Sequence, residues 1–299
     1  MKIPSFPAFA SIALEFRDEL HPHFQKLESG ISEFTFAGIY LFRNTYQYKV
    51  SYLGEGEQGP LFALSGIKNG LKFFALPWGL PDFEIFSALL NSHDFLKGFS
   101  LSQVDQYRST LESWGIDIHP DRDNWDYLYD ATEMAELAGK KFHKKRNLIH
   151  QFESEYGPIR MEDINRSNEK GAREILELWG QLHNEPGDLV ASREALELSE
   201  TLELSGAIFC VGTQVVGYTL GEPLGSTGYV IHFEKANPAY KGVYQALFQS
   251  WAERLKETYS IINREQDLGD PGLKQAKETY RPIGFAEKYV LRRIEATKM

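Results

Sequence analysis

The sequence predicts an α/β protein built as two domains in tandem, with a single large α/β domain as the alternative. Three observations carry that prediction. At 299 residues the chain is about twice a typical domain. Its apolar runs alternate between strand-like stretches bounded by Gly turns and longer stretches with helical spacing. The order of these elements in the first half then repeats in the second. A hydrophobic fraction of 42% and a charged fraction of 25% are those of a chain that buries a full core, so a disordered class is excluded.

In the first half, apolar residues at Ile12, Leu14, Phe16, Leu20, Phe24 and Leu27 give Ser11 to Leu27 a helical face. His21 and His23 stand two apart within it, on different faces, and read as surface histidines rather than ligands of one metal. Phe34 to Arg43 reads as a short helix or an aromatic-rich turn. Tyr46 to Leu53, Leu61 to Ile67 and Leu71 to Leu76 follow as strands. Pro81 and Asp82 open a helix through Leu90, Gln103 to Trp114 form another, and Trp125 to Asp130 is a strand. The segment from Ala131 to Tyr156 is expected to be a linking helix, with Thr132 before Glu133 and Glu136 as its capping signature and Gly139 as a point of interruption.

The second half runs in a similar order. Ile159 to Ile164 is a strand, Glu169 to His183 and Arg193 to Leu204 are helices, and Ala207 to Val211, Val215 to Leu220 and Gly228 to Phe233 are strands. Lys241 to Glu257 is a long amphipathic helix, followed by a strand at Tyr259 to Ile262, a helix at Leu273 to Tyr280 and a strand at Glu287 to Arg292. The expected division is therefore residues 1–130, a link at 131–156, and residues 157–299.

The net charge of −10 argues against adhesion to DNA or anionic lipid over the whole surface. A local basic patch is still present, because Lys140, Lys141, His143, Lys144, Lys145 and Arg146 crowd into seven positions. Asn147 adds a directional hydrogen bonder beside them. This run serves either as a contact for a phosphate-bearing ligand or as a solvated helix face. No stretch approaches the roughly 20 apolar residues of a membrane span, and Met1 to Ala10 carries Pro4 and Pro7 in place of a signal-peptide apolar run, so a cytoplasmic location is expected. Cys210 is the single cysteine and sits in the apolar run AIFCVG, as a core residue would.

The stretch from Ile261 to Tyr289 is where chemistry is expected. After a short apolar run, Asn263, Arg264, Glu265, Gln266 and Asp267 place five hydrogen-bonding side chains in a row where a strand leaves a sheet, the usual ligand position in α/β folds. Glu234 ends an earlier strand in the same way. Glu265 and Asp267 either hold an ammonium group or pair with Arg264 and Arg281. Just after Glu234, the run through Lys241 and Gly242 leads into the long helix, whose N-terminal N–H groups suit a phosphate. No G-x-S-x-G, P-loop, H-E-x-x-H or zinc-ligand pattern occurs.

The order strand, helix, Tyr, Gly-Phe, strand resembles the last third of GNAT-type acyltransferases. The wording NREQDLGDPGLKQAKETYRP, together with KKFHKKRNLIHQF, EKANPAYKGVYQALFQ and FTFAGIYLFR, resembles the family named for the C-terminal domain of phosphatidylglycerol lysyltransferases. That resemblance covers nearly the whole chain. It implies two GNAT-like acyltransferase folds with mixed sheets, and aminoacyl or acyl transfer to an amine or hydroxyl acceptor.

The implied donor is an aminoacyl-tRNA. Acyl-coenzyme A is the second donor class, because only Gly242 stands where the GNAT-type loop carries two glycines. A binding protein for a phosphorylated metabolite is the reading from another class. The resemblance also implies roles. Tyr280 would protonate the leaving group, unless it only packs beneath the sheet. Glu265 and Asp267 would act beside it. Lys144, Lys145, Arg146, Asn147, Glu234, Lys241, Gly242, Asn263, Gln266 and Lys277 would bind donor or substrate.

Overall fold

The protein is described by a computed structural model over residues 2–182 and 188–294. In chain order it begins with β1 (Ala10–Ser11), α1 (Arg17–Phe24), α2 (Phe36–Leu41), α3 (Arg43–Tyr46), β2 (Lys49–Gly56), β3 (Gly59–Lys68) and β4 (Leu71–Ala75). There follow α4 (Phe83–Ser92), β5 (Phe95–Ser100), α5 (Leu101–Ser113), β6 (Ile116–Pro120), β7 (Asp126–Asp130), α6 (Ala131–Glu136) and α7 (His143–Tyr156). The second half contains β8 (Arg160–Asp163), α8 (Glu169–Leu182), α9 (Leu189–Glu197), β9 (Ser205–Val211), β10 (Gln214–Leu224) and β11 (Gly228–Ala236). It closes with α10 (Val243–Leu255), β12 (Ile261–Asn263), α11 (Pro271–Glu278), β13 (Gly284–Ala286) and β14 (Lys288–Arg293). His183, the expected end of α8, lies outside the described residues.

These elements form two mixed seven-stranded sheets, in the orders β1-β2-β3-β4-β5-β14-β6 and β13-β7-β12-β11-β10-β9-β8. The α/β class and the paired sheets agree with the tandem GNAT-like architecture expected from the sequence. The orders match strand for strand. In the first sheet β4 and β5 are the parallel neighbours, and β14 lies antiparallel beside β5. In the second, β11 and β12 are parallel and β7 lies antiparallel beside β12. The chain divides into two compact units: unit 1 takes residues up to Asp126, 266–269 and from Phe285 on, and unit 2 takes Tyr127–Glu265 and Asp270–Gly284.

This division differs from the expected cuts at 130 and 157, because β7 and β14 each join the sheet built mostly by the other half. Periodicity marks a strand but not its ladder, and β14 finds its partners, Phe99 and Pro120 against Tyr289, far back in the chain. The expected linking helix is also broken. Leu137 adopts a left-handed conformation (φ 46°) and Gly139 another (φ 80°), so α6 and α7 are separate helices, both within unit 2. The break is stabilised by Arg146, which donates to the carbonyl oxygens of Leu137 and Gly139, the latter at 2.7 Å.

Four strands escaped the sequence reading, among them the two-residue β1 and the three-residue β13, both too short to show a period. β5, FLKGFS, is buried at every position, so it shows no alternation to read. β6, IDIHP, is too short and polar to stand out. His21 departs from its expected surface position: it is buried, at 9% exposure, on α1.

Candidate functional site

β11 and β12 pair only where Gly228, Tyr229 and Val230 face Ile261, Ile262 and Asn263. β12 then ends while β11 runs on to Ala236, so the two strands part at their carboxyl ends, the general place for ligands in α/β sheets. Two ion pairs cross the parting. Arg264, just past β12, donates to Glu234 of β11 at 2.7 Å, and His232 of β11 meets Glu265 at 2.8 Å.

The residues around Arg264 form one group. Its guanidinium lies 3.9 Å from the centroid of Phe248 on α10 and 5.2 Å from that of Tyr280, just past α11. Tyr280 is buried, edge-on to both Phe248 and Tyr129. Burial pushes its phenol up to about 12, against the pull of Arg264. Lys145 of α7 places its ammonium 3.7 Å over the Tyr280 ring. Burial, and then the like charge of Arg264, bring that amine down to about 8. Two cations, Lys145 and Arg264, thus stand beside the Tyr280 ring.

Glu234 is itself raised by burial, against Arg264. Its second oxygen, Oε2, is buried without a hydrogen-bond partner, and so is Oγ1 of Thr219, the residue directly opposite it on β10. Buried polar atoms are satisfied in the great majority of cases, so two orphans on paired positions mark unmet bonding capacity at this point.

The other expected site residues take up varied positions. Lys277 is buried, and its ammonium donates to the carbonyl oxygens of Arg264 at 2.8 Å and Glu265 at 3.1 Å, while its own carbonyl accepts from the Tyr129 hydroxyl at 2.9 Å. Asn263, 1% exposed, accepts from the Glu265 N–H at 2.6 Å. Both therefore brace the turn that carries Arg264 and Glu265. Of the basic run, Lys145 alone meets the Tyr280 ring among the described contacts. Lys141 pairs with Glu133 at 2.5 Å, Arg146 caps the helix break, and Lys144 and Asn147 are exposed. Lys241 is exposed beside Gly242, which precedes α10 with φ 89°. A Cβ at Gly242 would come within 2.4 Å of the Leu148 carbonyl oxygen of α7, so the start of α10 is packed against a neighbouring helix.

Asp267 and Gln266 belong to unit 1. Asp267, 1% exposed, accepts from the Gly269 N–H at 2.9 Å and lies 3.7 Å from Arg122, so it closes its own loop. Gln266 sits at the edge of a buried charge cluster in which the Lys288 ammonium bonds Asp126 at 2.7 Å and Glu33, and Ser32 donates to Asp126 at 3.0 Å. Lys97 lies 3.7 Å from Glu33. It is presented by a bulge of β5, where Lys97 and Gly98 (φ 71°) stand against the single residue Val290 of β14. The parting of β4 and β5 in unit 1 is closed: Ile31, Phe34 and Ile39 line it together with Lys97 and leave a cavity of about 10 Å³, room for no more than one water.

Arg264 was read from sequence only as a partner for a carboxylate, and Glu222, His232, Gln245 and Thr219 were not singled out at all. Thr219 faces Glu234, and His232 meets Glu222, only through cross-strand register, which no local pattern encodes.

The sequence profile described as phosphatidylglycerol lysyltransferase, C-terminal, matches residues 24–292. A solved protein of unknown function from Bacteroides thetaiotaomicron superposes with a TM-score of 0.84 at 26% identity, covering 95% of this chain and 98% of that one. The C-terminal domain of an assigned lysylphosphatidylglycerol synthetase from Agrobacterium fabrum gives 0.62 at 14% identity, over 95% and 93% of the two chains. FemX gives 0.61 at 9% identity, over 95% and 96%. With nine-tenths of its length inside the profile, the chain belongs to the phosphatidylglycerol lysyltransferase C-terminal family.

Proposed function

We propose that the protein is an aminoacyltransferase that moves an aminoacyl group from the ribose ester of an aminoacyl-tRNA to an amine or hydroxyl acceptor, at the Tyr280 group of unit 2. Membership of a family named for lysyl transfer supports the reaction class. The observation that carries the reading is the Tyr280 hydroxyl. Burial keeps the phenol protonated at neutral pH, and the Arg264 guanidinium, 5.2 Å from the ring centroid, stands ready to stabilise the phenolate that proton donation leaves.

The acceptor nitrogen or oxygen attacks the ester carbonyl carbon and forms the new bond. The bond from that carbon to the ribose oxygen breaks, and Tyr280 passes its proton to the departing oxygen. The phenolate left behind is stabilised by Arg264 until the proton shed by the acceptor restores it. Glu234 holds Arg264 in place, and Lys277 and Asn263 hold the turn that presents it. Lys145 adds positive charge beside the phenol. Exposed Lys144, Asn147 and Lys241 are the proposed contacts for tRNA phosphates, with the salt dependence such contacts bring. Among the described residues no helix is long and apolar enough to cross a membrane.

The test is transfer of a labelled amino acid from charged tRNA to phosphatidylglycerol vesicles, a lysine-containing peptide or a small polyol. Transfer to at least one acceptor is expected. Tyr280→Phe should lower turnover on the order of 10²-fold at an unchanged melting temperature. Turnover of coenzyme A esters without transfer from any charged tRNA would overturn the reading.

A further inference from the structure

His232 is the extra residue of a bulge in β11, where the register passes from Leu220 opposite Phe233 to Gly221 opposite Ile231. The bulge depends on Gly221, where a Cβ would come within 1.9 Å of the Val230 carbonyl oxygen. It aims the imidazole between carboxylates from two elements. Nε2 lies 2.9 Å from Glu222 on β10, and Nδ1 lies 2.8 Å from Glu265 beyond β12. Ionised carboxylates only accept, so a ring that serves both must carry both protons. Two carboxylates around one imidazolium leave a net charge of −1.

That charge has one outlet. The Glu222 and His232 side chains are 4% and 3% exposed, whereas Glu265 is 26% exposed, and no described residue bonds its second oxygen, Oε2. The backbone of Glu265 is held in the left-handed region (φ 57°), which costs a non-glycine residue about 1 kcal/mol or more. It is fixed there by its N–H to Asn263, and by Tyr127 N–H and the Lys277 ammonium, both at 3.1 Å from its carbonyl oxygen. The orphaned Oε2 of Glu234 on β11 and Oγ1 of Thr219, its partner on β10, are further unmet bonding capacity in the same sheet.

The ligand class follows from the donor set. A doubly protonated imidazole has no lone pair for a metal. One free carboxylate oxygen cannot make the paired contact that a guanidinium prefers, but it suits the compact charge of an ammonium.

We propose that Glu265 recognises a primary ammonium group, with His232 and Glu222 as the positioning residues that aim it. The proposal rests on the aminoacyl-transfer reading only for the source of that ammonium, which is either the α-amino group of the donor or the amine of the acceptor.

Binding to the full chain tests it without any turnover, using two matched pairs of probes. Alaninamide against lactamide represents the donor, and ethanolamine against ethylene glycol represents the acceptor. The wild type should bind the ammonium member of one pair at least about tenfold more tightly than its neutral partner. Glu265→Gln should erase that preference without changing affinity for the neutral probe. The pair affected identifies the source. Glu222→Gln and His232→Gln should shrink the preference in part, and ¹⁵N spectra at neutral pH should show both His232 nitrogens protonated.

An unaltered preference in Glu265→Gln, no ammonium preference in the wild type, or a neutral His232 ring would each overturn the proposal. A chain that shows the preference but transfers nothing from charged tRNA would overturn the transfer reading and leave this one standing.

Discussion

Lys145 shows what a half-buried cation costs the fold around it. A lysine held at about 8 while its unfolded counterpart titrates near 10.5 binds its proton less well in the folded state. The charged amine therefore destabilises the protein below pH 8, and that penalty fades as the pH rises from 8 to 10.5. The proposed transfer has the opposite requirement, since the positive charge beside Tyr280 is present only below pH 8. Lys145→Met should accordingly melt at a higher temperature than wild type at pH 7, with the advantage gone above pH 10.5. Its kcat/KM should be lower and should lack the alkaline decline near pH 8 that the wild type shows. A wild-type profile flat through pH 9 would remove Lys145 from the site. Tyr280 and Lys145 were both legible in the sequence, because KETYRPIGF and the basic run are local. Arg264 was visible only as a charge, since its stacking on Phe248 depends on where α10 lies.

At the scale of elements, residues with special backbone geometry decide where the helices and strands can go. Gly242 begins α10 with φ 89°, and its missing side chain lets the Leu148 carbonyl of α7 approach. Gly242→Ala combines a left-handed alanine with a 2.4 Å clash against backbone, which has no rotamer to relieve it. A loss of about 2 kcal/mol or more is expected, seen as a fall in melting temperature of at least several degrees, with Lys145 displaced because it rides on α7. An unchanged melting temperature would mean that α7 and α10 pack less closely than described. From sequence, the glycine marked a candidate phosphate loop before a helix, with no sign of the helix packed against it. The same limit hid the two bulges: His232 in β11 and Lys97 with Gly98 in β5 are extra residues only relative to a partner strand, so the cluster around Glu265 could not be read before the register was known.

For the whole molecule, the informative feature is that each sheet takes a strand from the far part of the chain. β14 brings Lys288 into the core of unit 1, where its ammonium lies between Asp126 and Glu33, 162 and 255 positions away in sequence. Separations of that size explain why the tandem α/β plan was legible while its division was not. Burial would push Glu33 up, but Lys288 and then Lys97 hold it near 2. Glu33 thus contributes stability that is present above pH 4.5 and is lost as the pH falls toward 2. Lys288→Met keeps the length of the side chain and removes the charge, leaving two buried carboxylates without their shared cation. The expected loss is about 3–5 kcal/mol at pH 7. The sign of the pH dependence should also reverse. Below pH 5 the wild type should weaken, whereas the variant should recover, because protonation neutralises carboxylates that no longer have a partner. Chemical denaturation at pH 7, 5 and 4 measures both slopes. Parallel slopes for the two proteins would show that Lys288 does not govern the charge state of this core.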